Sequence, residues 1–254
     1  MDIAYCGDYR APANLLAGRV ILVTGAGDGI GRAASLAYAR HGATVILAGR
    51  TTAKLEAVYD SIVAAGLPEP VIQPLDLAGA SEADYQTVAD ALVAEFGRLD
   101  GLLHNASELG QRTPIANYQA GTWQKVMQVN VNATFLLTKA LLPALEQSAD
   151  GAILLTSSGV GRVGRAFWGA YAVSKFAIEG FCQVLAGELE DTTRIRVNCI
   201  NPGATRTRMR AAAYPAEDPR TLKTPNDIMP GYLYLMGPDS LGVTGRSFDA
   251  QKKV

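Results

Sequence analysis

A tyrosine and a lysine one helical turn apart offer a proton-transfer pair. Tyr171 and Lys175 stand four positions apart in YAVSK, so a helix there places the phenol and the ammonium on one face. A free tyrosine, with a pKa of about 10, exchanges protons poorly at neutral pH. A nearby cation favours the phenolate and lowers that pKa. The pair therefore predicts general acid–base chemistry, with Tyr171 giving or taking the proton.

Two further polar side chains precede this pair. Ser158 follows the apolar run AILLTS, and a hydroxyl at the carboxyl end of a strand lies where open α/β sheets bind ligands. Asn130 lies within a long segment of helical period, where an amide has no helix-forming advantage. Each has an alternative interpretation: Ser158 as a loop hydroxyl bonded to backbone, and Asn130 as a hydrogen-bond bridge to a neighbouring strand. We expect both in the site.

A glycine-rich turn joins an apolar strand to the helix that follows it. Residues 24–31 read TGAGDGIG, after RVILV and before RAASLA. Glycines let a pyrophosphate approach the backbone, and the N–H groups and dipole of a helix start favour its charge. The literal G-x-G-x-x-G pattern is absent, because the key glycines are Gly25, Gly29 and Gly31. A tight connection without a ligand is the alternative, but four glycines in seven residues favour a dinucleotide.

The turn after the second strand indicates which dinucleotide binds. Proteins that select NAD usually carry Asp or Glu about 20 residues beyond the glycines, bound to the ribose 2′-hydroxyl. Here the strand ends in AGRTT, without an acid, and Arg50 could pair with a 2′-phosphate through its planar guanidinium. An ordinary solvated arginine is the alternative, and Asp28 would favour NAD if it faces the adenosine ribose. The balance favours NADP(H) over NAD(H).

The elements that must position these residues alternate along the chain. Near-continuous apolar strands are typical of parallel sheets covered on both faces, and strand–helix alternation predicts a doubly wound fold. We predict an α/β, Rossmann-type, doubly wound, seven-stranded parallel sheet flanked by helices on both faces, in a single domain spanning residues 1–254. The predicted strands are 19–24, 44–48, 71–73, 99–103, 152–156, 194–200 and 244–248, and the predicted helices are 29–41, 52–65, 81–96, 119–147, 170–190 and 225–236.

One long segment departs from this alternation. Residues 209–225 read MRAAAYPAEDPRTLKTP and contain three prolines. Loops of this length inside a compact domain are usually functional or disordered. We therefore predict a substrate lid at about residues 208–224.

Composition excludes several classes of function. The 254 residues carry 23 Lys and Arg against 24 Asp and Glu, and the net charge of −1 excludes nucleic-acid binding by bulk electrostatics. Three widely spaced cysteines and two histidines argue against a disulfide framework and a metal site. The start MDIAYCGDYR lacks the features of a signal peptide, and no apolar run approaches the roughly 20 residues of a membrane span. We expect a cytoplasmic protein without a membrane or nucleic-acid partner.

Together these motifs resemble those of the short-chain dehydrogenase/reductase family. TGAGDGIG, Asn130, Ser158, the Tyr171–Lys175 pair and NPG at 201–203 occur in that family's order and spacing, over residues from about 15 to 249. The length and the T-G-x-x-x-G-x-G spacing resemble its single-domain branch. Longer stretches, among them VMQVNVNATF, GRVGRAFWGAYAVSKFA and TGRSFDAQ, resemble the YciK-type bacterial oxidoreductases within the family.

The resemblance implies a role for each of these residues. Tyr171 would protonate the carbonyl oxygen in reduction and act as the base in oxidation, while Lys175 would lower its pKa and hold the nicotinamide ribose. Ser158 would orient the carbonyl oxygen, and Asn130 would hold a water in a proton relay to Lys175. With Asp28 and Arg50 added, the predicted cofactor-binding residues are Gly25, Asp28, Gly29, Ile30, Gly31, Arg50, Asp76, Leu77, Asn105, Ala106, Tyr171, Lys175, Pro202, Gly203, Thr205 and Thr207.

One position departs from the family's pattern. After the fourth predicted strand the family reads Asn-Asn-Ala-Gly, where this chain has His104, Asn105, Ala106 and Ser107. A serine at the positive φ that glycine permits carries strain, so Ser107 could disturb the cofactor site. We expect His104 to be a packed or hydrogen-bonded ring rather than a catalyst.

The leading hypothesis is an NADP(H)-dependent oxidoreductase that interconverts a carbonyl and a secondary alcohol of a small molecule. A narrower version, from likeness to acyl-carrier reductases of the family, is reduction of a 3-oxoacyl thioester. The rival is a non-catalytic dinucleotide-binding sensor or scaffold, which would lack one or more of the four residues Asn130, Ser158, Tyr171 and Lys175, and all four are present. The two long predicted helices, 119–147 and 170–190, resemble those through which subunits of family members associate, so we expect a homodimer or homotetramer.

Two groups of side chains near the predicted site have open interpretations. The aromatic residues are expected to be core or subunit contacts rather than substrate stackers. The arginines could attract an anionic substrate or be solvated. The aromatic group is Trp123, Phe167, Trp168 and Phe176, and the arginines are Arg162, Arg165, Arg206, Arg208 and Arg210.

Overall fold

A computed structural model describes residues 3–252, and its strands form one sheet in which all neighbours are parallel. The strands are β1 (Ile3–Tyr5), β2 (Val20–Thr24), β3 (Thr44–Gly49), β4 (Val71–Pro74), β5 (Gly101–His104), β6 (Ala152–Thr156), β7 (Arg196–Asn201) and β8 (Ser247–Asp249). Their order across the sheet is β1-β8-β7-β6-β5-β2-β3-β4.

Helices cover both faces of this sheet. In β2, Ile21 and Val23 pack with the helices α1 (Gly29–Arg40), α2 (Thr52–Ala64) and α8 (Met229–Met236). Val20 and Leu22 pack on the other face with α3 (Glu82–Phe96), α5 (Ala133–Glu146) and α6 (Gly169–Leu189). This alternation of buried side chains along one strand is the mark of a doubly wound fold, so the predicted fold class is confirmed. The helices are α1 (Gly29–Arg40), α2 (Thr52–Ala64), α3 (Glu82–Phe96), α4 (Ala120–Met127), α5 (Ala133–Glu146), α6 (Gly169–Leu189), α7 (Arg208–Ala213) and α8 (Met229–Met236).

The prediction of seven strands is corrected to eight. The additional strand β1 has three residues and pairs with β8, with Tyr5 opposite Asp249. A strand this short carries no periodic signal of its own, and its partner lies about 240 residues away in sequence, so only the tertiary fold reveals it.

The predicted helix at 119–147 is also corrected. It is divided into α4 and α5 by a turn of π-helix at Gln128–Asn132, and Asn130 lies at the middle of that turn. The predicted lid is more ordered than a loop, since it contains α7 and a 3₁₀ turn at Pro219–Thr221. π-turns inside helices frequently mark functional sites, because they re-aim side chains that a regular helix would point elsewhere.

The strand order places a topological switch at β2 and β5. From β2 the chain moves to β3 on one side, whereas from β5 it moves to β6 on the other, so the helices diverge and leave a crevice at the carboxyl ends. The residues that follow five different strands therefore meet at one edge of the sheet. They are Gly25, Arg50, Asn105, Ser158 and Pro202.

Two absences among residues 3–252 are relevant to function. None of their helices is long and apolar enough to cross a membrane. Nor do these residues form a group of three or more His, Cys, Asp or Glu side chains that could hold a metal ion.

Candidate active site

The glycine turn after β2 is fastened to the end of β5. Thr24 Oγ1 accepts hydrogen bonds from the backbone N–H groups of Asn105, at 2.9 Å, and Ala106, at 3.1 Å. The Asn105 amide donates to the Thr24 carbonyl at 3.2 Å. Gly25 has a φ of 67°, and a Cβ at Gly31 would overlap the Gly25 carbonyl oxygen. Glycine is therefore required at both positions, and the turn exposes backbone to the crevice.

Asp28, inside this turn, is engaged by cations. Its Oδ1 accepts from the Gly29 N–H at 2.7 Å and caps α1, while its Oδ2 lies 3.0 Å from Lys54 Nζ and also pairs with Arg208. Burial raises the pKa of Asp28, but the hydrogen bonds from Lys54 and Gly29 outweigh it and leave the pKa below its ordinary value. Asp28 therefore stays ionised, and the positive charges of Lys54 and Arg208 balance its negative charge. Sequence reasoning missed Lys54 as a partner of Asp28. The one feature that could have indicated it is its position four residues after Arg50.

Arg50 lines the same crevice and also has a carboxylate partner. Its side chain is 59% exposed, and its guanidinium pairs with Glu108 Oε1 at 3.1 Å, an oxygen that Lys125 approaches at 3.6 Å. An exposed pair of this kind contributes little to stability, so Arg50 can exchange Glu108 for another anion at low cost.

A cavity of about 400 Å³ runs along the carboxyl edge of the sheet. Ser158, Tyr171 and Lys175 line it together with the glycine turn. Of the predicted cofactor-binding residues, Gly31 alone does not line it, because it lies beneath Gly25. The predicted residues on its wall are Gly25, Asp28, Gly29, Ile30, Arg50, Asp76, Leu77, Asn105, Ala106, Tyr171, Lys175, Pro202, Gly203, Thr205 and Thr207.

The tyrosine and lysine are buried side by side. Tyr171 is 8% exposed and Lys175 is 4% exposed, with the Lys175 Nζ 5.5 Å from the centre of the Tyr171 ring. Lys175 Nζ donates to the Thr156 carbonyl at 2.8 Å, which ties α6 to the end of β6. Burial lowers the pKa of Lys175 to about 8. The hydrogen bond therefore holds the charged ammonium in place although its removal from water is unfavourable.

The family resemblance implies that Lys175 lowers the pKa of Tyr171, but in this structure the pKa of Tyr171 is raised. Burial raises it to about 12, and the Ser158 hydroxyl acts in the opposite direction. Desolvation of the phenolate outweighs the other influences here, because Tyr171 lies under the apolar side chains of the lid. In this state Tyr171 is protonated at neutral pH and thus a proton donor.

Asn130 lies behind the main cavity. Its Oδ1 accepts from the Glu108 N–H at 2.8 Å, and its Nδ2 donates to the Glu108 carbonyl at 3.0 Å and to Ser174 Oγ at 2.9 Å. The amide therefore joins the loop after β5 to α6. A second cavity of about 10 Å³ is bordered by Asn130, Thr134 and Lys175. That is about the space one water molecule needs.

The expected strain at Ser107 is wrong. Phe167 is the one non-glycine residue with a positive φ in the range 3–252, so Ser107 has an ordinary backbone conformation. Its Oγ is buried without a hydrogen-bond partner, as is Thr156 Oγ1, and both residues line the main cavity. Two such hydroxyls are expected where a polar ligand binds, because an unsatisfied buried group is costly. The glycine cradle and these hydroxyls fit a dinucleotide.

His104 is a structural residue, as expected. Its ring is 7% exposed, and Nε2 lies 2.8 Å from Thr138 Oγ1. Burial lowers the pKa of His104 to about 3, so the ring is neutral at physiological pH.

Three of the five arginines near the site already have carboxylate partners. Arg208 pairs with Asp28 and Arg210 with Glu217. Arg165 and Arg206 are exposed. Neither interpretation holds for Arg162, whose side chain is 12% exposed and does not line the cavity.

Arg162 is the centre of a buried ionic network. It lies 3.1 Å from Glu179 on α6 and 2.5 Å from Asp249 on β8. Glu179 also accepts from Ser157 Oγ at 2.5 Å, next to Ser158. The network joins the Ser158 turn, the helix that carries Tyr171 and the sheet edge. Sequence reasoning missed it because its members are distant in the chain.

A doubly wound sheet with a glycine cradle and a buried tyrosine–lysine pair at its switch point defines a Rossmann-type enzyme site. The chain belongs to the short chain dehydrogenase family, whose model matches residues 19–218. It is 56% identical over 243 residues to the oxidoreductase YciK of Escherichia coli (strain K12), covering 96% of each chain. The predicted family and the likeness to YciK-type proteins are confirmed, and the chain is an oxidoreductase of the class that interconverts CH–OH and C=O groups.

Solved structures give the same result. A short chain dehydrogenase from Shigella flexneri 2a str. 301, complexed with NADP, has a TM-score of 0.92 and 56% identity, over 95% of this chain and 100% of that one. A short chain dehydrogenase from Escherichia coli CFT073, complexed with NADPH, has a TM-score of 0.93 and 56% identity over the same shares.

The Arg162 network makes a prediction about stability. Replacing Arg162 with Met leaves Glu179 and Asp249 buried without their cation. We expect Arg162→Met to lower the free energy of unfolding by about 3 kcal/mol and Tm by about 6–12 °C. Arg165→Met, which removes the same charge from an exposed position of the same loop, should change Tm little. Equal melting temperatures for the two variants in thermal denaturation would contradict the account.

The buried Lys175 makes a second prediction, with a defined pH dependence. Below about pH 8 the charge costs stability, and the cost fades as pH rises from the folded pKa of about 8 to the ordinary 10.5. We expect Lys175→Met to raise the free energy of unfolding near neutral pH by ~2 kcal/mol, which is the effect of the shift less one hydrogen bond.

Thermal denaturation near pH 7 and again near pH 10 checks this expectation. The stabilisation should shrink at the higher pH. Lys139→Met, at a position 58% exposed and paired with Glu82 on the surface, serves as the control and should show no such trend. A Lys175→Met protein less stable than the parent at both pH values would show that the hydrogen bond to Thr156 outweighs the desolvation.

Proposed function

We propose that the chain is an NADP(H)-dependent oxidoreductase that interconverts a carbonyl and a secondary alcohol through Tyr171, Lys175, Ser158 and Asn130. The observation that carries the proposal is one cavity lined both by the glycine turn and by Ser158, Tyr171 and Lys175. The relatives complexed with NADP and NADPH support the choice of cofactor.

The cofactor would lie along the carboxyl edge of the sheet. The turn from Gly25 to Gly31 would hold the pyrophosphate against the start of α1. Arg50, released from Glu108, would bind the 2′-phosphate, and Lys54 would keep Asp28 neutralised beside it. Asp76 and Leu77 would contact the adenine and Asn105 and Ala106 the adjoining ribose side, while Pro202, Gly203, Thr205 and Thr207 would border the nicotinamide.

The protein's own contribution is proton transfer and orientation. NADPH supplies the hydride when bound. Ser158 would hold the carbonyl oxygen near Tyr171, whose proton would pass to that oxygen as negative charge develops there. Lys175 would hold the nicotinamide ribose and stabilise the phenolate left on Tyr171. A water in the small cavity beside Asn130 would return a proton through Lys175.

The surroundings of this site support further parts of the proposal. We assign the whole chain to one domain, with 208–224 as a lid that closes over substrate. The outer faces of α5 and α6 expose Phe135 and Phe176, at 49% and 45%, which supports a homodimer or homotetramer formed there. The three cysteines are free and buried, as in proteins of a reducing compartment such as the cytoplasm.

The decisive test of catalysis is Tyr171→Phe. This change removes the hydroxyl that gives the proton but keeps the ring and its packing. We expect turnover of carbonyl substrates, followed by NADPH absorbance, to fall on the order of 10³-fold. NADPH binding, followed by its fluorescence, should remain within a few-fold of the parent.

Phe96→Leu, at the end of α3 and outside the cavity wall, is the matched control for an aromatic change and should keep full turnover. Undiminished turnover in Tyr171→Phe would refute the assignment of the acid. NADPH binding by the parent with no turnover of any ketone or aldehyde in a broad panel would favour the alternative, a dinucleotide-binding sensor or scaffold.

Cofactor preference is tested by equilibrium titration with NADPH and NADH. We expect the parent to bind NADPH more tightly. Arg50→Ala should weaken NADPH binding about 10- to 100-fold, the value of a charge-assisted hydrogen bond to an anion, and should change NADH binding little.

Arg40→Ala removes the same charge from the end of α1, outside the cavity, and is the control. Equal losses of NADPH affinity for Arg40→Ala and Arg50→Ala would show that the overall charge of the protein, and not a contact between Arg50 and the 2′-phosphate, causes the effect. Tighter binding of NADH by the parent would mean that Asp28, despite its cations, sets the preference.

A further inference from the structure

The end of the cavity beside Tyr171 is walled by apolar side chains. The indole of Trp168 lies next to the phenol, with ring centres 5.7 Å apart and planes at 45°. Leu109, Met209 and Ala213 line the same end of the cavity. Trp168 is 8% exposed, so it is buried as expected of a core residue, yet it also forms part of the cavity wall.

The backbone that presents Trp168 is strained. Phe167 has a φ of 69°, a conformation that costs a bulky residue energy, and its own side chain remains 55% exposed. The next residue but one, Gly169, has a φ of 37°, and a Cβ there would overlap the Tyr118 ring. Burial of Phe167 cannot explain this turn. What the turn achieves is an inward-facing Trp168 against Tyr171, and strain of this kind persists where function requires it.

Two arginines around this end are committed to the lid. Arg210 makes two contacts of 2.6 Å with Glu217 and lies 3.9 Å from the centre of the Tyr214 ring. Arg112 lies over both Trp168, at 4.6 Å, and Tyr214, at 4.8 Å, and donates to the Ala213 carbonyl. Arg112 is outside the cavity wall. These cations brace the lid and present no free charge to the substrate.

The spacing of the two rings limits where a substrate ring can lie. Aromatic rings pack with centres about 4.5–7 Å apart. Since Trp168 borders Tyr171 directly, a ring packed on the indole brings a carbonyl that lies within the ring, or one bond from it, towards the Tyr171 hydroxyl.

Resting on the proposed function, we propose that the substrate is an uncharged carbonyl compound whose flat apolar ring contains or directly bears the carbonyl, and that this ring packs on Trp168. Trp168 is then a specificity-determining residue. A 3-oxoacyl thioester fits this end poorly, because its reacting carbon is part of an acyclic chain and its carrier is anionic.

The test compares two ketones with equal carbon number, acetophenone and 2-octanone, with acetoacetyl coenzyme A as the thioester. NADPH-dependent reduction is measured for the parent, Trp168→Leu, Trp168→Phe and the control Phe96→Leu. We expect the parent to favour acetophenone over 2-octanone in kcat/KM by about tenfold. Trp168→Leu should abolish that preference, chiefly through KM, while Trp168→Phe and Phe96→Leu should retain it.

Melting temperature and NADPH affinity show whether each variant is folded. Trp168→Met, an unbranched apolar side chain without an aromatic face, replaces Trp168→Leu if that variant does not fold, and it should lose the preference that Trp168→Phe and Phe96→Leu retain. Retention of the preference in a folded Trp168→Met would contradict the inference. Equal loss for both ketones in a folded Trp168→Leu, or more efficient reduction of acetoacetyl coenzyme A than of acetophenone by the parent, would overturn the inference.

A binding measurement separates this inference from the proposed function. Trp123→Phe leaves Trp168 as the one tryptophan of the chain. We expect acetophenone, added with NADP⁺, to quench its fluorescence saturably, and 2-octanone to do so at least tenfold more weakly. Saturable quenching without reduction would support the inference and count against the proposed function. Reduction of acetophenone without saturable quenching would support the proposed function and count against this inference.

Discussion

The buried ammonium of Lys175 is the constraint around which this site is organised. A cation that is 4% exposed needs fixed hydrogen-bond acceptors, and its nearest is the Thr156 carbonyl at the end of β6. That bond fixes the rotation of α6 relative to the sheet. Because Tyr171 lies one turn earlier on the same helix, its phenol is fixed with it, beside the turn that carries Ser158. The position of the proton donor therefore follows from the need to satisfy a buried charge.

The loop after β5 is fixed by a different device. Asn130 bonds both the N–H and the carbonyl of Glu108 and also reaches Ser174 on α6, so one amide sets the loop relative to the helix. A regular helix from 120 to 146 would rotate this amide away, and the π-turn is what aims it. The same loop contains Ser107, whose buried hydroxyl lacks a partner. Rigid placement of an unsatisfied hydroxyl is useful only where a ligand completes it.

Local patterns predicted most of the site, and non-local contacts account for what was missed. The glycine turn and the Tyr171–Lys175 pair depend on spacings of a few residues, which a sequence displays directly. β1, by contrast, exists through pairing with β8 at the other end of the chain. The roles of Arg162 and Trp168 depend on partners and a backbone turn that spacing does not reveal. Ser107 was misjudged because the family's glycine was assumed to need a positive φ, and here the residue at that place does not.

The two buried charge systems on α6 are physically connected. Burial lowers the pKa of Lys175, and Glu179, one turn further along, is among the groups that oppose this effect. Glu179 is held in that place by Arg162 and by Ser157. The ionic network therefore has two consequences that cannot be varied separately. It fixes the turn before Ser158, and it keeps a carboxylate near enough to Lys175 to hold more of the lysine in its charged form, which is the form that stabilises a phenolate at Tyr171.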